Sequence, residues 1–231
     1  MAPFMTNLNK KDLASFEKDR NSTQIPPFRL SDHIRSSRVR ERPANDEMLK
    51  AECRCGGVSL LIQKANHADR SVSQLDRFIP KHPDGNFELD RHIAFCCVCR
   101  SCRLATGVSL TPWVYLPPAQ IINPHTGKPL VHHRAATTGT AVEYANKGQS
   151  LTYYWSSDVS CRSFCNGCGA AVFYTMDRRE EIINIAAGLL RAEEGAMARS
   201  WLSWQWGRTS WKEQSTQRDV MEAWQATAET K

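Results

Sequence analysis

No stretch of this 231-residue chain reaches the roughly eighteen consecutive apolar residues that a membrane-spanning helix needs. Its N-terminus, MAPFMTNLNKKDLASFEKD, carries charges where a secretory leader would need an apolar centre, and it lacks the Arg-rich, acid-poor texture of a transit peptide. No membrane partner is therefore expected, and the location expected is cytoplasmic, with a nuclear one left open. A large excess of one charge is also missing. The formal net charge is +6, with basic residues interleaved among acids, so a solvated, mildly basic surface is expected rather than a nucleic-acid-binding face. The one concentration, Arg35, Arg38, Arg40 and Arg42, is broken by Glu41 and followed by Pro43, and reads as an exposed arm. Internal repeats are absent. What the chain has in quantity is cysteine, with nine residues.

Hydrophobic residues at 41% and charged residues at 23% are ordinary for a soluble globular protein. A chain of this length can bury about 70% of its unfolded surface, so it needs no cross-links to build a core. In a reducing compartment, clustered cysteines are read as metal ligands or catalytic thiols before structural disulfides. They fall in three places: CRCGG from Cys53, FCCVCRSCRLATG at 95–107, and CRSFCNGCG from Cys161.

Residues 1–48 lack strand alternation and read as a partly ordered N-terminal extension. Leu8, Leu13 and Phe16 could edge one short helix there, and Pro26 and Pro27 forbid regular hydrogen bonding after it. From Ala51 the texture changes to short apolar runs between turn residues, the pattern of a mostly antiparallel β domain. Strands are predicted at 58–62, 93–97, 108–116, 130–133, 141–145, 151–155, 171–176, 182–187 and 201–206. A β domain over 49–207 therefore carries an insertion at 63–92, rich in Asp, Arg, His and Pro, of a length that often belongs to a binding site. A second break covers 117–127. The tail, 208–231, is predicted to hold a short helix at 216–227, with Val220, Ala223 and Trp224 at helical spacing.

Cys53 and Cys55 are two apart, so on an extended strand they face the same way, and Gly56 and Gly57 allow a sharp turn behind them. Cys165 and Cys168 flank a turn containing Gly167, with Gly169 after it, which is a zinc-knuckle pattern. Two such pairs make a four-thiolate tetrahedral site. Cys97, Cys99 and Cys102 have the spacing Cys-x-Cys-x-x-Cys, which can place three sulfurs on one ion and leave a fourth position open, the mark of a catalytic site. Two alternatives stand beside this. Cys96 could close the site, although strand alternation turns it to the other face, or Cys99 and Cys102 could form a redox disulfide.

In this order, Cys53, Cys55 and Gly56, then Cys97, Cys99, Cys102, Arg103 and Gly107, then Phe164, Cys165, Cys168 and Gly169 resemble the family of glutathione-dependent formaldehyde-activating enzymes and centromere protein V. The resemblance covers roughly 49–190. It implies a β-tent fold of antiparallel sheets, a structural zinc on Cys53, Cys55, Cys165 and Cys168, and a catalytic zinc on Cys97, Cys99 and Cys102. The implied activity is carbon–sulfur bond formation and cleavage, joining glutathione to formaldehyde. Two departures bear on the substrate. Val98 stands where many members have His, and the 63–92 insertion and Trp-rich tail exceed a minimal member. A bulkier carbonyl or thioether substrate is therefore as consistent as formaldehyde.

The expectation is a mainly β, zinc-dependent carbon–sulfur lyase with two Zn2+ per chain, acting on a small molecule, with glutathione as a candidate co-substrate. Catalytic residues expected are Cys97, Cys99, Cys102 and Arg103, the last as a carboxylate clamp or, equally, a structural ion-pair partner. His92, His132, His133, Glu143 and Tyr144 are candidate proton carriers, and Trp113, Trp201, Trp204, Trp206 and Trp211 are core residues or pocket walls. Two other classes compete: a non-catalytic zinc-stabilised binding module, which the basic arm would suit, and a thiol redox protein. A homo-oligomer is compatible with the sequence, and a nucleic-acid partner is not expected.

Overall fold

Strands β1 (Met48–Glu52) and β2 (Ser59–Gln63) alternate buried with less buried side chains, so one face of their antiparallel pair is apolar and needs a cover. The computed structural model, which describes residues 48–67, 73–82, 84–130, 146–195 and 197–226, supplies that cover as a second sheet. The first sheet has the order β1-β2-β5-β6, with β5 (Ile121–Asn123) and β6 (Lys128–Pro129) added along β2. The larger sheet comprises β3 (His92–Cys97), β4 (Thr111–Leu116), β7 (Leu151–Ser157), β8 (Ser160–Cys165), β9 (Ala171–Met176), β10 (Ile183–Ala186) and β11 (Leu202–Ser210). Its order is β11-β3-β4-β10-β9-β8-β7, and neither sheet closes into a barrel. Pairing is antiparallel except where β11 runs parallel to β3.

Side-chain alternation gives the larger sheet two different apolar faces. One contributes Val114, Leu116, Ile183 and Ile185 to a core shared with Leu60, Ile62 and Ile121 of the first sheet. The other carries Ile93, Phe95, Cys97, Trp113 and Tyr115, covered by Phe78 and Ile182. β3 is consequently buried at all its positions, as expected for a strand packed on both faces. Phe78 ends a short 3-10 turn, Ser73–Phe78, so the 63–92 insertion contributes directly to this second cluster.

Several expected elements appear with shifted bounds, and 171–176 appears as predicted. Among the strands and α-helices of the described residues, five were not expected: β1, β8, the short β5 and β6 inside the 117–127 break and its margin, and helix α1 (Arg100–Thr106) within the central cysteine motif. Of the strands expected at 130–133 and 141–145, only Leu130 lies among the described residues, and it is not in a strand. The terminal helix is present as α2 (Arg218–Ala226), but it buries Met221 while Val220 stays exposed. Trp224 on α2 packs against Trp204 and Trp206 of β11, with ring centroids 5.8 and 4.6 Å away. Residues 1–47 of the N-terminal extension lie outside the described residues, and its last residue, Met48, opens β1. Among those described, no helix is long and apolar enough to cross a membrane.

Candidate metal centres

Cys53 and Cys55 follow the end of β1, and Cys165 ends β8 with Cys168 three residues on. All four sulfurs lie within 4.8 Å of one another. The pairs Cys53–Cys55 and Cys55–Cys165 are each 3.5 Å apart. A tetrahedral zinc with Zn–S bonds of about 2.3 Å would separate its sulfurs by about 3.8 Å, so the donor set fits one such ion. None of the nine cysteines is in a disulfide.

The backbone around this cluster is built to face sulfur. A turn closes through the Cys53 N–H donating to the Val58 carbonyl at 3.0 Å, which aims the Val58 N–H at Cys53 Sγ, 3.3 Å away. The Gly57 N–H likewise points at Cys55 Sγ at 3.4 Å. Amide donors of this kind favour thiolate over thiol. Gly56 has a φ of +74°, in the left-handed region, whereas Gly57 is needed for space: a Cβ there would sit 3.2 Å from Cys165 Sγ and from Ser150. The Ala170 amide, and then the Cys55 thiol, pull Cys168 down to about 6.

The second cluster is made differently. Cys97 ends β3, Cys99 is the N-cap of α1, and Cys102 lies in its first turn; their three sulfurs also fall within 4.8 Å of one another. Cys99 Sγ accepts the Cys102 N–H at 3.2 Å, the role usually taken by Ser or Asp. Gly107, at φ 74°, closes the helix by donating its N–H to the Arg103 carbonyl at 2.8 Å. The central motif is therefore one capped turn of helix, with a cysteine at its start and a glycine at its end. Cys97 and Cys102 are buried and Cys99 is half-buried, so solvent meets the cluster at Cys99. Hydrogen bonds from Cys102 and then Cys97 hold the Cys99 thiolate down to about 2, and the bonds from Cys102 and Cys99 push Cys97 far up. Cys96 does not belong to either cluster: it is buried elsewhere, and desolvation alone pushes it up to about 12.

A charged side chain, Arg162, reaches this cluster at Cys102. Arg162 Nη2 donates to Cys102 Sγ at 3.6 Å and to Ser101 Oγ at 2.9 Å, while its guanidinium lies over the Tyr174 ring, 4.8 Å from the centroid. Cross-strand register explains its position: Tyr154, Arg162, Tyr174, Asn184 and Tyr115 are successive partners across β7, β8, β9, β10 and β4. A cavity of about 520 Å³ opens between α1 and this part of the sheet, lined by Ser101, Leu104, Trp113, Arg162, Phe164 and Phe173 among others. Sequence reasoning missed Arg162. Its one available signal was a charged residue in SCRSFC, at a position whose neighbours are buried.

The other expected residues are dispersed. Arg103 Nη1 donates to the Gln214 carbonyl at 3.3 Å and does not line the cavity. His92 starts β3, the end away from Cys97; it is 1% exposed, with Nε2 3.1 Å from the Gln63 carbonyl and its ring edge-on to His67. His132, His133, Glu143 and Tyr144 fall outside the described residues. Trp113 walls the cavity, whereas Trp204 and Trp206 pack under α2.

No curated protein matches the chain. A family model described as glutathione-dependent formaldehyde-activating enzyme matches residues 86–204, just over half of the chain. The matched span holds the Cys97–Cys99–Cys102 centre, Arg162 and the Cys165–Cys168 knuckle, while Cys53 and Cys55 lie upstream of it. The chain belongs to the glutathione-dependent formaldehyde-activating enzyme family.

Proposed function

We propose that the protein is a zinc-dependent carbon–sulfur lyase acting on a small molecule, a glutathione adduct or another carbonyl or thioether substrate, at the Cys97–Cys99–Cys102 centre. The observation that carries this is the inequality of the two clusters: four sulfurs can fill a tetrahedral shell, and three leave one position for a ligand. Cys53, Cys55, Cys165 and Cys168 would hold a structural ion. Zinc on Cys97, Cys99 and Cys102 would supply a Lewis acid and a template for a thiolate or a substrate oxygen.

The chain's own groups set the conditions for that chemistry. Burial of Cys97 and Cys102 excludes water from two sides, so substrate approaches past the half-buried Cys99. The Arg162 guanidinium, on Cys102 Sγ, offsets the net negative charge that three thiolates would leave on a divalent ion. In the addition direction a C–S bond forms between the thiol sulfur and the carbonyl carbon, and the proton lost by the thiol ends on the carbonyl oxygen. Of the two roles open to Arg103, we assign the scaffolding one, joining α1 to the C-terminal segment through Gln214.

Turnover of glutathione with formaldehyde, and of a panel of glutathione thioethers, tests the proposal alongside zinc content. Wild type should contain two zinc ions per chain and turn over at least one member. Cys99→Ala should lose one zinc and all turnover; a variant that keeps both zincs or full activity contradicts the assignment.

A further inference from the structure

The 520 Å³ cavity beside the three-cysteine centre has a lining of one charge sign. Among the described residues, Arg100 and Arg162 are its only ionisable side chains apart from the Tyr154 phenol, and no Asp or Glu lines it. Its remaining wall mixes the apolar side chains of Leu104, Trp113, Phe164 and Phe173 with the hydroxyls of Ser101, Ser156 and Ser163. A cation is costly in such a place unless an anion or several acceptors meet it. Arg162 is 9% exposed, and its hydrogen bonds to Ser101 Oγ and Cys102 Sγ both come from Nη2. Its Nε has no hydrogen-bond partner among the described residues. A guanidinium offers five N–H donors; here Nη2 is bonded twice and Nε is buried, so Nη1 is the nitrogen left to meet a ligand in the cavity.

We propose that this cavity binds an organic carboxylate with an apolar or aromatic body, the carboxylate pairing with Arg162 and the body lying against Leu104, Trp113 and Phe164. Arg162 then touches both the bound acid and Cys102, so it fixes the distance between the carboxylate and the cysteine centre. This deepens the proposed function by naming a substrate class: a carbonyl or thioether compound whose acid group is anchored in the cavity. It rests on that function for the claim that the bound molecule reacts.

The test is calorimetric titration of the zinc-loaded protein with 3-phenylpropanoate and with its uncharged amide, with zinc content measured on the same samples. The acid should bind at least about tenfold more tightly than the amide, and Arg162→Gln should remove that difference. Leu104→Glu, on an exposed part of α1 that lines the cavity, leaves Arg162 in place; it removes an apolar contact from both ligands and should weaken the acid roughly threefold more than the amide at low salt. This second variant decides the matter if Arg162→Gln does not fold. Equal binding of acid and amide, or acid affinity unchanged in the folded variants, overturns the proposal. In particular, if Arg162 serves only to balance the thiolates, Arg162→Gln lowers zinc occupancy without altering acid selectivity in the zinc-loaded fraction. Acid-selective, Arg162-dependent binding by a protein holding one zinc would sink the lyase assignment and leave the cavity assignment standing. Two zincs and turnover without acid selectivity would do the reverse.

Discussion

The four-cysteine and three-cysteine clusters use the same ligand in two architectures. The first joins loops at the ends of β1 and β8, more than a hundred residues apart, with Gly57 admitting the close approach. Cys53 and Cys165 pack into the core shared by the two sheets. The second is local, with its three sulfurs on a strand end and one capped helical turn, and it belongs to the cluster on the opposite face. Long-range ligation constrains the chain far more than local ligation does, because loop closure between distant segments is what the metal enforces. One cluster is therefore suited to hold the fold, and the other can be spared by it, which frees its geometry for chemistry.

The largest expected effect comes from the long-range site. Cys53→Ser should forfeit a metal contribution on the order of 10 kcal/mol and leave the protein largely unfolded, read by circular dichroism and zinc content. A folded Cys53→Ser protein with a normal melting temperature would erase the distinction between the clusters. Graded chelation gives the next contrast. One zinc should leave first, together with activity, while the fold persists; the second should leave only with unfolding, monitored by near-UV circular dichroism against released zinc. Thiolate ligation also sets the sign of the pH effect, since protons compete with metal for sulfur and both ions should be released more readily as pH falls.

Smaller changes refine the comparison. Gly57→Ala would press a methyl group to 3.2 Å from Cys165 Sγ and Ser150, which should cost about 1–3 kcal/mol in denaturant melts and lower structural zinc retention. Gly107→Ala has space around it but keeps a left-handed backbone, so it should cost about 1–2 kcal/mol. Its effect should fall on α1, reducing turnover and the affinity of the three-cysteine zinc more than the affinity of the other ion. Equal loss at both sites would mean that α1 is not what shapes the central one.

How much of the fold and of the centres was legible in the sequence varied with the kind of signal. AVFYTM at 171–176 is apolar and bounded by turn residues, and it forms β9 as predicted. SCRSFC forms β8 just as firmly, yet its buried positions include Ser160, Arg162 and Ser163, so no apolar pattern marked it. Helix α1 is only seven residues long with one buried side chain; it is capped by Cys99 and Gly107 and tied to Gln214, and a cysteine cap is not a usual helix-start signal. The grouping of the cysteines into a four and a three, by contrast, was readable, because sharing one ion would restrict their spacing directly. Arg162 was not, because its partners, Tyr174, Ser101 and Cys102, are brought to it only by sheet register.

The central claim is that one cluster closes around its ion and the other leaves a position open. A crystal structure with zinc located by anomalous scattering at its absorption edge measures this directly. Two ions per chain are predicted, one bound by Cys53, Cys55, Cys165 and Cys168 alone, the other by Cys97, Cys99 and Cys102 with a non-protein fourth ligand on the Cys99 side. A single ion, or a central ion closed by a fourth protein ligand, would contradict it.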